Sequence, residues 1–405
     1  MIQIKPNIQH KSNCPYSGQP LTPIRVFWPG MQICVISKCS DCNCEFIEGL
    51  RVAHSVHNPY QIDLAKKVIW SPQKHNKEWF VKPLLETLQN PENEELEIQK
   101  EVFRECPRII VLNCIDYLYG HCLLKLLNAQ RHLDSDSDCG LVVIVPKFLR
   151  WMVPEGVSEV WTVNISLNKG SCYYPSFDNF VAEQFRRYDE IYISKAHSHP
   201  SQFDITRFTR VPKHDFEQKE FKISFVWRED RIWCNSLLFR IIRKLKMFYL
   251  GIAIQNWRVR RLFEKMRERL PEAKFAVVGL GKTGKFPEWI EDHRVDKFDA
   301  KTEIEMCKVY AKSRLVIGLH GSNMLLPSGH AGMTLDLIEE RWGNFAQDIL
   351  YQETDPRLAT FRYRFLPVQM NISVLANIAA WMMLNYCEFK AHMTADVVDL
   401  VAGEE

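Results

Sequence analysis

The sequence predicts an α/β protein with two parallel-sheet domains behind a small cysteine-rich segment. Continuous apolar strand patterns alternate with helical patterns, which is typical of parallel sheets covered on both faces. The alternation becomes irregular over residues 196–213 and then restarts. The 405 residues suit two or three domains of about 150 residues each. With 46% apolar and 25% charged residues, the composition excludes a disordered or fibrous protein.

The first segment, residues 1–50, is distinguished by its cysteines. It holds five of the 13 cysteines: Cys14, Cys34, Cys39, Cys42 and Cys44. A zinc ribbon needs two C-x-x-C pairs, whereas this segment has one, and Ser17 stands where the Cys14 turn would carry its second cysteine. We expect a cysteine-rich β-hairpin and no cofactor, with structural zinc as the open alternative. The odd cysteine count argues against a disulfide framework.

The first parallel-sheet domain is expected over residues 51–205. Its helix is predicted over Leu118–Ala129, and the acidic stretch Asn90–Glu101 is expected to be a solvated helix or a linker. The predicted strands are Arg108–Asn113, Leu141–Val145, Val160–Ile165 and Glu190–Ile193. Open α/β sheets bind ligands at the carboxyl ends of their strands.

The second domain is expected over residues 206–370. Residues 371–405 would form a C-terminal helix that packs back on the N-terminal domain. The predicted strands are Lys222–Trp227, Lys274–Gly279, Leu315–Gly318 and Thr334–Ile338. Two such domains suggest a cleft between them.

Charge and hydropathy limit the partners. With 52 Lys and Arg against 49 Asp and Glu, the net charge is +3, so we expect no nucleic-acid partner. Arg240–Arg269 holds ten Lys/Arg and two Glu; it is either a solvated helix or a contact to an anionic membrane surface. Without a predicted membrane span or signal peptide, we expect a cytoplasmic protein, with peripheral attachment at the inner face of the membrane as the alternative.

Two motifs are weak indicators of a binding site. Ala276–Thr283 (AVVGLGKT) matches a loose phosphate loop, but its strand occupies the space where the loop should have begun. Lys282 could still meet a phosphate at the end of that strand. His197 and His199 have the spacing of paired metal ligands, but no cysteine and only Asp204 lie nearby, so we predict no metal there.

The informative segment is Arg314–Glu340 (RLVIGLHGSNMLLPSGHAGMTLDLIEE). A buried strand ends in His320-Gly321-Ser322-Asn323. Gly321 allows close approach of the backbone, and Ser322 or Asn323 can cap a following helix whose free N–H groups would attract an anion. An ordinary strand-to-helix connection is the alternative interpretation of this motif taken alone.

This segment resembles the C-terminal signature of the family 61 glycosyltransferases, in which a strand leads to a Gly-x-His-Gly-Ser/Ala turn. Two further stretches, ISFVWREDR (Ile223–Arg231) and YGHCLLKLL (Tyr119–Leu127), resemble that family's motifs in the same order. The resemblance implies a GT-B architecture and an inverting, metal-independent sugar transfer from a nucleotide-sugar to a glycan or lipid-linked acceptor. The bacterial members commonly serve polysaccharide biosynthesis.

The resemblance also implies roles for individual residues. Arg228 would hold the departing diphosphate together with the backbone of Gly321, Ser322 and Asn323. His320 would donate to a phosphate or a hydroxyl. Asp336 would bind a ribose or sugar hydroxyl, with Glu339 as second choice.

An inverting transfer also needs a base for the acceptor hydroxyl. His121 is the first candidate and Asp116 the second. The family commonly carries an acidic residue four positions after this histidine, where the present sequence has Lys125. That departure favours the runner-up function, a non-catalytic nucleotide- or glycan-binding protein on the same scaffold; a phosphate-loop kinase or ATPase using Lys282 is a third alternative.

Overall fold

The computed structural model describes residues 1–135, 138–196, 200–218, 221–234, 236–339, 353 and 355–393. The chain divides into two compact units, Met1–Phe208 and Thr209–Glu405, where the sequence predicted a boundary between residues 205 and 206. His197 and His199 lie outside the described residues, as do the last twelve residues of the predicted C-terminal segment.

The first unit contains eleven described strands and five described helices, and α6 (Ile205–Thr209) lies across the boundary. The strands are β1 (Ile2–Lys5), β2 (Leu21–Phe27), β3 (Cys34–Cys39), β4 (Glu45–Gly49), β5 (Gln61–Asp63), β6 (Val68–Trp70), β7 (Ile98–Val102), β8 (Arg108–Asn113), β9 (Gly140–Pro146), β10 (Glu159–Val163) and β11 (Glu190–Ile193). The helices are α1 (Lys74–Asn76), α2 (Lys82–Gln89), α3 (Tyr119–Leu126), α4 (Asn128–Ser135) and α5 (Pro175–Phe185).

The strands of the first unit form two sheets. The larger has the order β1-β11-β8-β9-β10-β7, in which β11, β8, β9 and β10 are parallel and the two edge strands are antiparallel. The smaller is an antiparallel sheet of β2 to β6 in sequence order. It extends to Trp70, beyond the predicted cysteine-rich segment, and the two sheets share one hydrophobic core.

The second unit has six described strands and seven further helices. They are β12 (Lys222–Arg228), β13 (Lys274–Leu280), β14 (Ile290–Val295), β15 (Ser313–Leu319), β16 (Met333–Ile338) and β17 (Tyr363–Pro367), with α7 (Ser236–Lys244), α8 (Phe248–Arg267), α9 (Ala300–Ala311), α10 (Leu325–His330), α11 (Pro356–Arg362), α12 (Ile372–Leu384) and α13 (Tyr386–Met393). All six strands are parallel, in the order β14-β13-β12-β15-β16-β17. Numbered within the unit, this is 3-2-1-4-5-6, the Rossmann order.

The predicted fold class, two Rossmann-like parallel sheets with a cysteine-rich segment in front, is confirmed. The central strands are buried along their length, as their apolar runs predicted. Helix α12 packs against α8, and its buried face belongs to the core of the second unit. The sequence had predicted that this segment packs on the N-terminal domain. Among the described residues, no helix is both long and apolar enough to cross a membrane.

Strand order also defines where ligands are expected. In the second unit β12 has β13 on one side and β15 on the other, so the chain changes its winding direction between β12 and β15. The same change occurs between β8 and β11 of the first unit. Such switch points open a crevice at the carboxyl ends of the two strands.

Candidate functional site

The first cluster of interest lies at the switch point of the second unit. Arg228 is the last residue of β12, and its Nη1 donates to Oδ1 of Asn323 at 3.0 Å across 95 residues of sequence. Its Nε donates to Oδ1 of Asp230 at 2.7 Å, and its Nη2 to the other oxygen of that carboxylate. These bonds use three of the five guanidinium N–H groups.

The backbone of Arg228 is also held in place, in addition to its side chain. Its main-chain carbonyl accepts a hydrogen bond from Nε2 of Gln255 at 2.7 Å, and the fully buried Gln255 also accepts from the N–H of Trp233. The Arg228 side chain is 23% exposed. A partly buried guanidinium with fixed orientation suits two-pronged recognition of a phosphate.

The turn after β15 depends on Gly321 and Arg231. Nη1 of Arg231 donates to the carbonyl oxygen of His320. Gly321 has φ +147°, and a Cβ there would lie 2.5 Å from the same Arg231 nitrogen. The turn therefore requires glycine in order to place a second guanidinium against its backbone.

The helix that follows this turn is short. Ser322–Met324 forms one turn of 3-10 helix, and α10 adds six residues. Neither Ser322 nor Asn323 caps it, because no side-chain cap bond forms and the Asn323 amide bonds Arg228 and the carbonyl of Leu319 instead. A helix this short has little dipole, so positive charge here comes from arginine side chains.

His320 is positioned by Asp336. Its Nδ1 lies 2.9 Å from Oδ2 of Asp336, and the hydroxyl of Tyr363 donates to the same oxygen at 2.9 Å. Asp336 is 1% exposed, and both hydrogen bonds fall on its Oδ2. The carboxylate orients the imidazole, and its binding of a ribose or sugar hydroxyl stays a prediction.

His320 also lines a small cavity of about 110 Å³ whose wall includes Arg231, Leu319 and Glu339. This volume is below the range of about 300–1,000 Å³ that is usual for small-molecule sites. The cavity is therefore too small to hold a whole nucleotide.

Lys282 lies in the loop after β13, the strand next to β12. Its neighbour Thr283 donates to the Glu229 carboxylate through both its N–H and its hydroxyl, at 2.8 and 2.9 Å. Arg294 holds the carbonyl of Thr283 at 2.9 Å. The next element is strand β14, whereas a phosphate loop is followed by a helix. The loop thus lacks the structure of a nucleoside-triphosphatase site, but Lys282 is exposed at the same sheet edge as Arg228.

A second cluster surrounds Asp116 just past β8 of the first unit. Its Oδ1 lies 3.2 Å from Nδ1 of His121, and its Oδ2 lies 3.1 Å from Nε2 of His54 and 2.8 Å from Nζ of Lys125. The Lys125 ammonium also donates to the carbonyl of Ile115 at 2.8 Å. The Asp116 side chain is fully buried, and that of Lys125 is 3% exposed.

Electrostatics assign Asp116 a supporting role rather than that of the base. Burial by itself raises the pKa of its carboxyl, but the Lys125 ammonium and the two imidazole hydrogen bonds outweigh burial and hold that pKa well below its ordinary value. A carboxylate with a lowered pKa is a weak base near neutral pH, and the Asp116 side chain is fully buried. It can orient the imidazoles.

The tautomers of the two histidines follow from the ionised Asp116. A carboxylate only accepts hydrogen bonds, so the proton must be on Nδ1 of His121 and on Nε2 of His54. When the rings are neutral, Nε2 of His121 and Nδ1 of His54 each carry a lone pair. Burial lowers the pKa of His54, against the opposing hydrogen bond to Asp116. The His121 side chain is 33% exposed and that of His54 is 19% exposed, so His121 is the more accessible base.

Sequence reasoning missed two members of these clusters. His54 is 62 residues upstream of Asp116, in a 3-10 turn (Ala53–Val56) that carries no motif. Arg231 was quoted only as part of a motif. Lys125 stands where the family commonly has an acidic residue, which suggested that His121 lacks a carboxylate partner. In the structure Asp116 is that partner, and Lys125 pairs with the other oxygen of Asp116.

The Asp116 cluster also has ligand atoms spaced for a metal ion, since atoms of His54, Asp116 and His121 lie within 4.8 Å of one another. However, the Lys125 ammonium already binds Oδ2 of Asp116, and a divalent cation would be repelled by it. The donor set therefore fits a hydrogen-bonded acid–base cluster better than a metal centre.

Comparisons with known proteins give only distant likenesses. No family model matches the sequence, and no curated protein matches it. Among solved structures, a protein described as a UDP-N-acetylglucosamine 2-epimerase from Listeria monocytogenes is 11% identical, with a TM-score of 0.29 over 71% of this chain and 68% of that chain.

Two glycosyltransferase structures are similarly distant. The iron-containing heptosyltransferase TibC, in complex with ADP-D-beta-D-heptose, is 10% identical, with a TM-score of 0.29 over 69% of this chain and 68% of that chain. The glycosyltransferase SnogD from Streptomyces nogalater is 10% identical, with a TM-score of 0.25 over 70% and 77% of the two chains. At these values no function is carried over, and membership of glycosyltransferase family 61 stays a prediction.

Proposed function

We propose that this protein is a glycosyltransferase that transfers the sugar of a nucleotide-sugar donor bound by the second unit, with the nucleoside diphosphate as leaving group. The observation that carries the proposal is the hydrogen bond between Arg228 and Asn323. It joins the ends of β12 and β15 at the switch point of a Rossmann-ordered sheet. Both residues belong to the motifs that resemble family 61.

Departure of a nucleoside diphosphate leaves negative charge on its phosphates, which must be neutralised. Arg228 retains two N–H groups beyond those bonded to Asp230 and Asn323, and they supply a charge-assisted contact. Arg231 adds a second positive charge beside the backbone of Gly321. These guanidinium groups take the role that a divalent ion has in metal-dependent transferases, so we propose metal-independent transfer.

We propose that the first unit binds the acceptor and supplies the base, with inversion at the sugar carbon. Nε2 of His121 would take the proton of the acceptor hydroxyl, and Asp116 would stabilise the imidazolium that forms. Lys125 keeps Asp116 ionised throughout, because the carboxylate is its buried counter-ion. His54 would share the carboxylate and hold it from the other side.

Donor binding is tested by calorimetry with UDP, GDP, ADP and CMP, with and without Mg²⁺. We expect one nucleoside diphosphate to bind equally well in both buffers. Arg228→Ala should weaken it by roughly tenfold or more, since a hydrogen bond to a charged group contributes about 1.5–3 kcal/mol. Arg261→Ala is the matched control, because that exposed arginine pairs with Glu264 on the same helix, α8. Equal affinity of the two variants would refute the phosphate assignment.

The base is tested by turnover of the donor and acceptor identified in this way. His121→Ala should lower kcat by about 10²–10⁴-fold with little change in donor affinity. His293→Ala, at an exposed histidine of β14 that pairs with Glu291, is the control and should keep full turnover. If His121→Ala turns over normally and His54→Ala does not, the base is His54.

A lipid-linked acceptor is supported by the surface around the junction of α7 and α8. Residues 240–263 contain no Asp or Glu. Tyr249 is 81% exposed and Trp257 is 60% exposed, and further exposed apolar side chains are Ile241, Leu245, Met247, Phe248 and Leu250. Exposed cations lie among them, at Arg240, Lys244 and Lys246. Apolar and aromatic groups mixed with cations are typical of an interfacial membrane contact.

Vesicle sedimentation tests this membrane contact. We expect binding to vesicles with phosphatidylserine and much weaker binding to pure phosphatidylcholine, with loss at high salt. Tyr249→Ser with Trp257→Ser should abolish binding. Lys308→Glu, on the exposed face of α9, is the control and should bind like the wild type. Binding that is unchanged by the paired substitution would exclude this surface as the contact.

A further inference from the structure

The small antiparallel sheet of the first unit holds a cluster of sulfur atoms that the proposed transfer reaction does not use. It is built by two tight turns. One turn spans residues 14–18, with a hydrogen bond from the N–H of Gly18 to the carbonyl of Cys14 at 2.8 Å. The other joins β3 to β4 over residues 39–44, closed by the N–H of Cys39 and the carbonyl of Cys44 at 3.0 Å.

The two turns share one pattern. In each turn, two polar or thiol side chains stand three positions apart, and the next residue is in the left-handed region. That residue is Gly18 at φ +75° in one turn and Asn43 at φ +57° in the other. The first and fourth residues are Cys14 and Ser17 in one turn, and Cys39 and Cys42 in the other. This is the spacing of paired metal ligands in zinc proteins.

The pairing of β2 with β3, with Leu21 opposite Cys39, brings the turns together. Sγ of Cys14 lies 3.6 Å from Sγ of Cys42, and Oγ of Ser17 lies 3.4 Å from Sγ of Cys39. Each residue of one turn therefore meets one residue of the other. The side chains form four corners, of which three are sulfur and one is a hydroxyl.

The distances fit a metal better than the alternatives. The sulfur atoms of Cys14, Cys39 and Cys42 all lie within 4.8 Å of one another, whereas a disulfide requires about 2.05 Å. Zinc thiolate bonds of about 2.3 Å in a tetrahedron separate neighbouring sulfurs by about 3.8 Å, close to the 3.6 Å between Cys14 and Cys42.

The surroundings explain what such an ion would do. The apolar cluster at this end of the sheet has four buried members, Cys14, Leu21, Cys39 and Phe46. Two of the four are the cysteines themselves, and the first turn adds Tyr16, whose ring contacts Phe46 and Trp70. The cluster is still small. A metal cross-link supplies what a small core lacks. Cys42 is exposed and provides the path of entry.

We propose that Cys14, Cys39 and Cys42 bind one structural zinc ion, with the fourth position at Ser17 filled by its hydroxyl or by a water that it holds. The sequence alone favoured no cofactor, because it shows one C-x-x-C pair instead of two. The structure shows that the second pair is present with serine as one member. This inference is independent of the proposed glycosyl transfer.

The metal content of the full-length protein tests the proposal. We expect about one zinc per chain by elemental analysis after purification without chelator. Exchange with Co²⁺ should give the thiolate charge-transfer absorption and the intense visible bands of a tetrahedral cobalt site. A folded wild-type protein that contains no zinc and shows no such bands with Co²⁺ would overturn the proposal.

Three variants separate a ligand role from ordinary packing. Ser17→Cys completes a four-cysteine site and should raise zinc affinity roughly tenfold or more. Cys39→Ser should lose the zinc. Cys44→Ser should retain it, because its thiol donates to the carbonyl of Cys42 at 3.5 Å and lies outside the four corners. Should Cys39→Ser fail to fold, the higher zinc affinity of Ser17→Cys and the retained zinc of Cys44→Ser still decide. Unchanged affinity in Ser17→Cys, or loss of zinc in Cys44→Ser, would assign the site to other residues.

Discussion

Replacing Asp116 by asparagine keeps its shape and removes its charge, which leaves Lys125 as a buried cation without a counter-ion. The ammonium and the carboxylate are 2.8 Å apart, with side chains 3% and 0% exposed. At an effective dielectric constant of about 20, the attraction at that distance is about 6 kcal/mol. The carbonyl of Ile115 and the new amide oxygen recover part of it. We therefore expect Asp116→Asn to cost about 3–5 kcal/mol of unfolding free energy.

Urea unfolding followed by far-UV circular dichroism measures this cost. Asp134→Asn is the matched control. Asp134 also pairs with a basic residue, Arg207, at 2.6 Å, but the two side chains are 49% and 34% exposed, respectively. We expect less than about 1 kcal/mol there. Adding Lys125→Met to Asp116→Asn should restore most of the stability, because no buried charge then remains. Equal losses of unfolding free energy in Asp116→Asn and Asp134→Asn would refute the buried ion pair. So would a double variant, Asp116→Asn with Lys125→Met, that is no more stable than Asp116→Asn alone.

Three further outcomes are expected. Gly321→Ala should reduce nucleoside diphosphate affinity by roughly tenfold with an unchanged circular dichroism spectrum, because the new Cβ lies 2.5 Å from Nη1 of Arg231 at φ +147°; wild-type affinity would mean that the turn does not touch the ligand. Burial lowers the pKa of His214 from 6.5 to about 4, so its contribution to stability is complete above pH 6.5 and is lost as the pH falls towards 4, by about 3 kcal/mol in total. His214→Gln should therefore flatten the decline of the urea midpoint between pH 7 and 4, and an unaltered decline would assign it to other groups. ATP with Mg²⁺ should bind no more tightly than the preferred nucleoside diphosphate alone, since β14 follows Lys282 where a phosphate loop needs a helix; tight Mg²⁺-dependent ATP binding would favour a kinase.

The central strands could be predicted because burial on both faces requires a continuous apolar run. β8 and β11 have the bounds that the sequence predicted, and β12 and β13 are one residue longer. The edge strands could not be predicted in this way. β7, which overlaps the predicted acidic linker, has no buried position, and β14 has only two; both carry charged residues, as expected for strands at the edge of a sheet.

The candidate sites were predicted in part for a similar reason. Arg228 and Asn323 follow buried strands, so the sheet topology brings them together once the strands are recognised. His54 follows no such strand and reaches Asp116 only through the fold of the small sheet. The sequence alone does not show that Lys125 is buried or that it pairs with a carboxylate. Its partner, Asp116, lies in the loop before the helix.

In both units a polar cluster follows the first parallel strand of a sheet, and the first four parallel strands of each sheet are wound in the same order. The apolar strands carry the framework, while the short loops after β8, β12 and β15 carry the reactive groups. New ligand preferences can therefore arise by rewriting a few loop positions with the hydrophobic scaffold untouched.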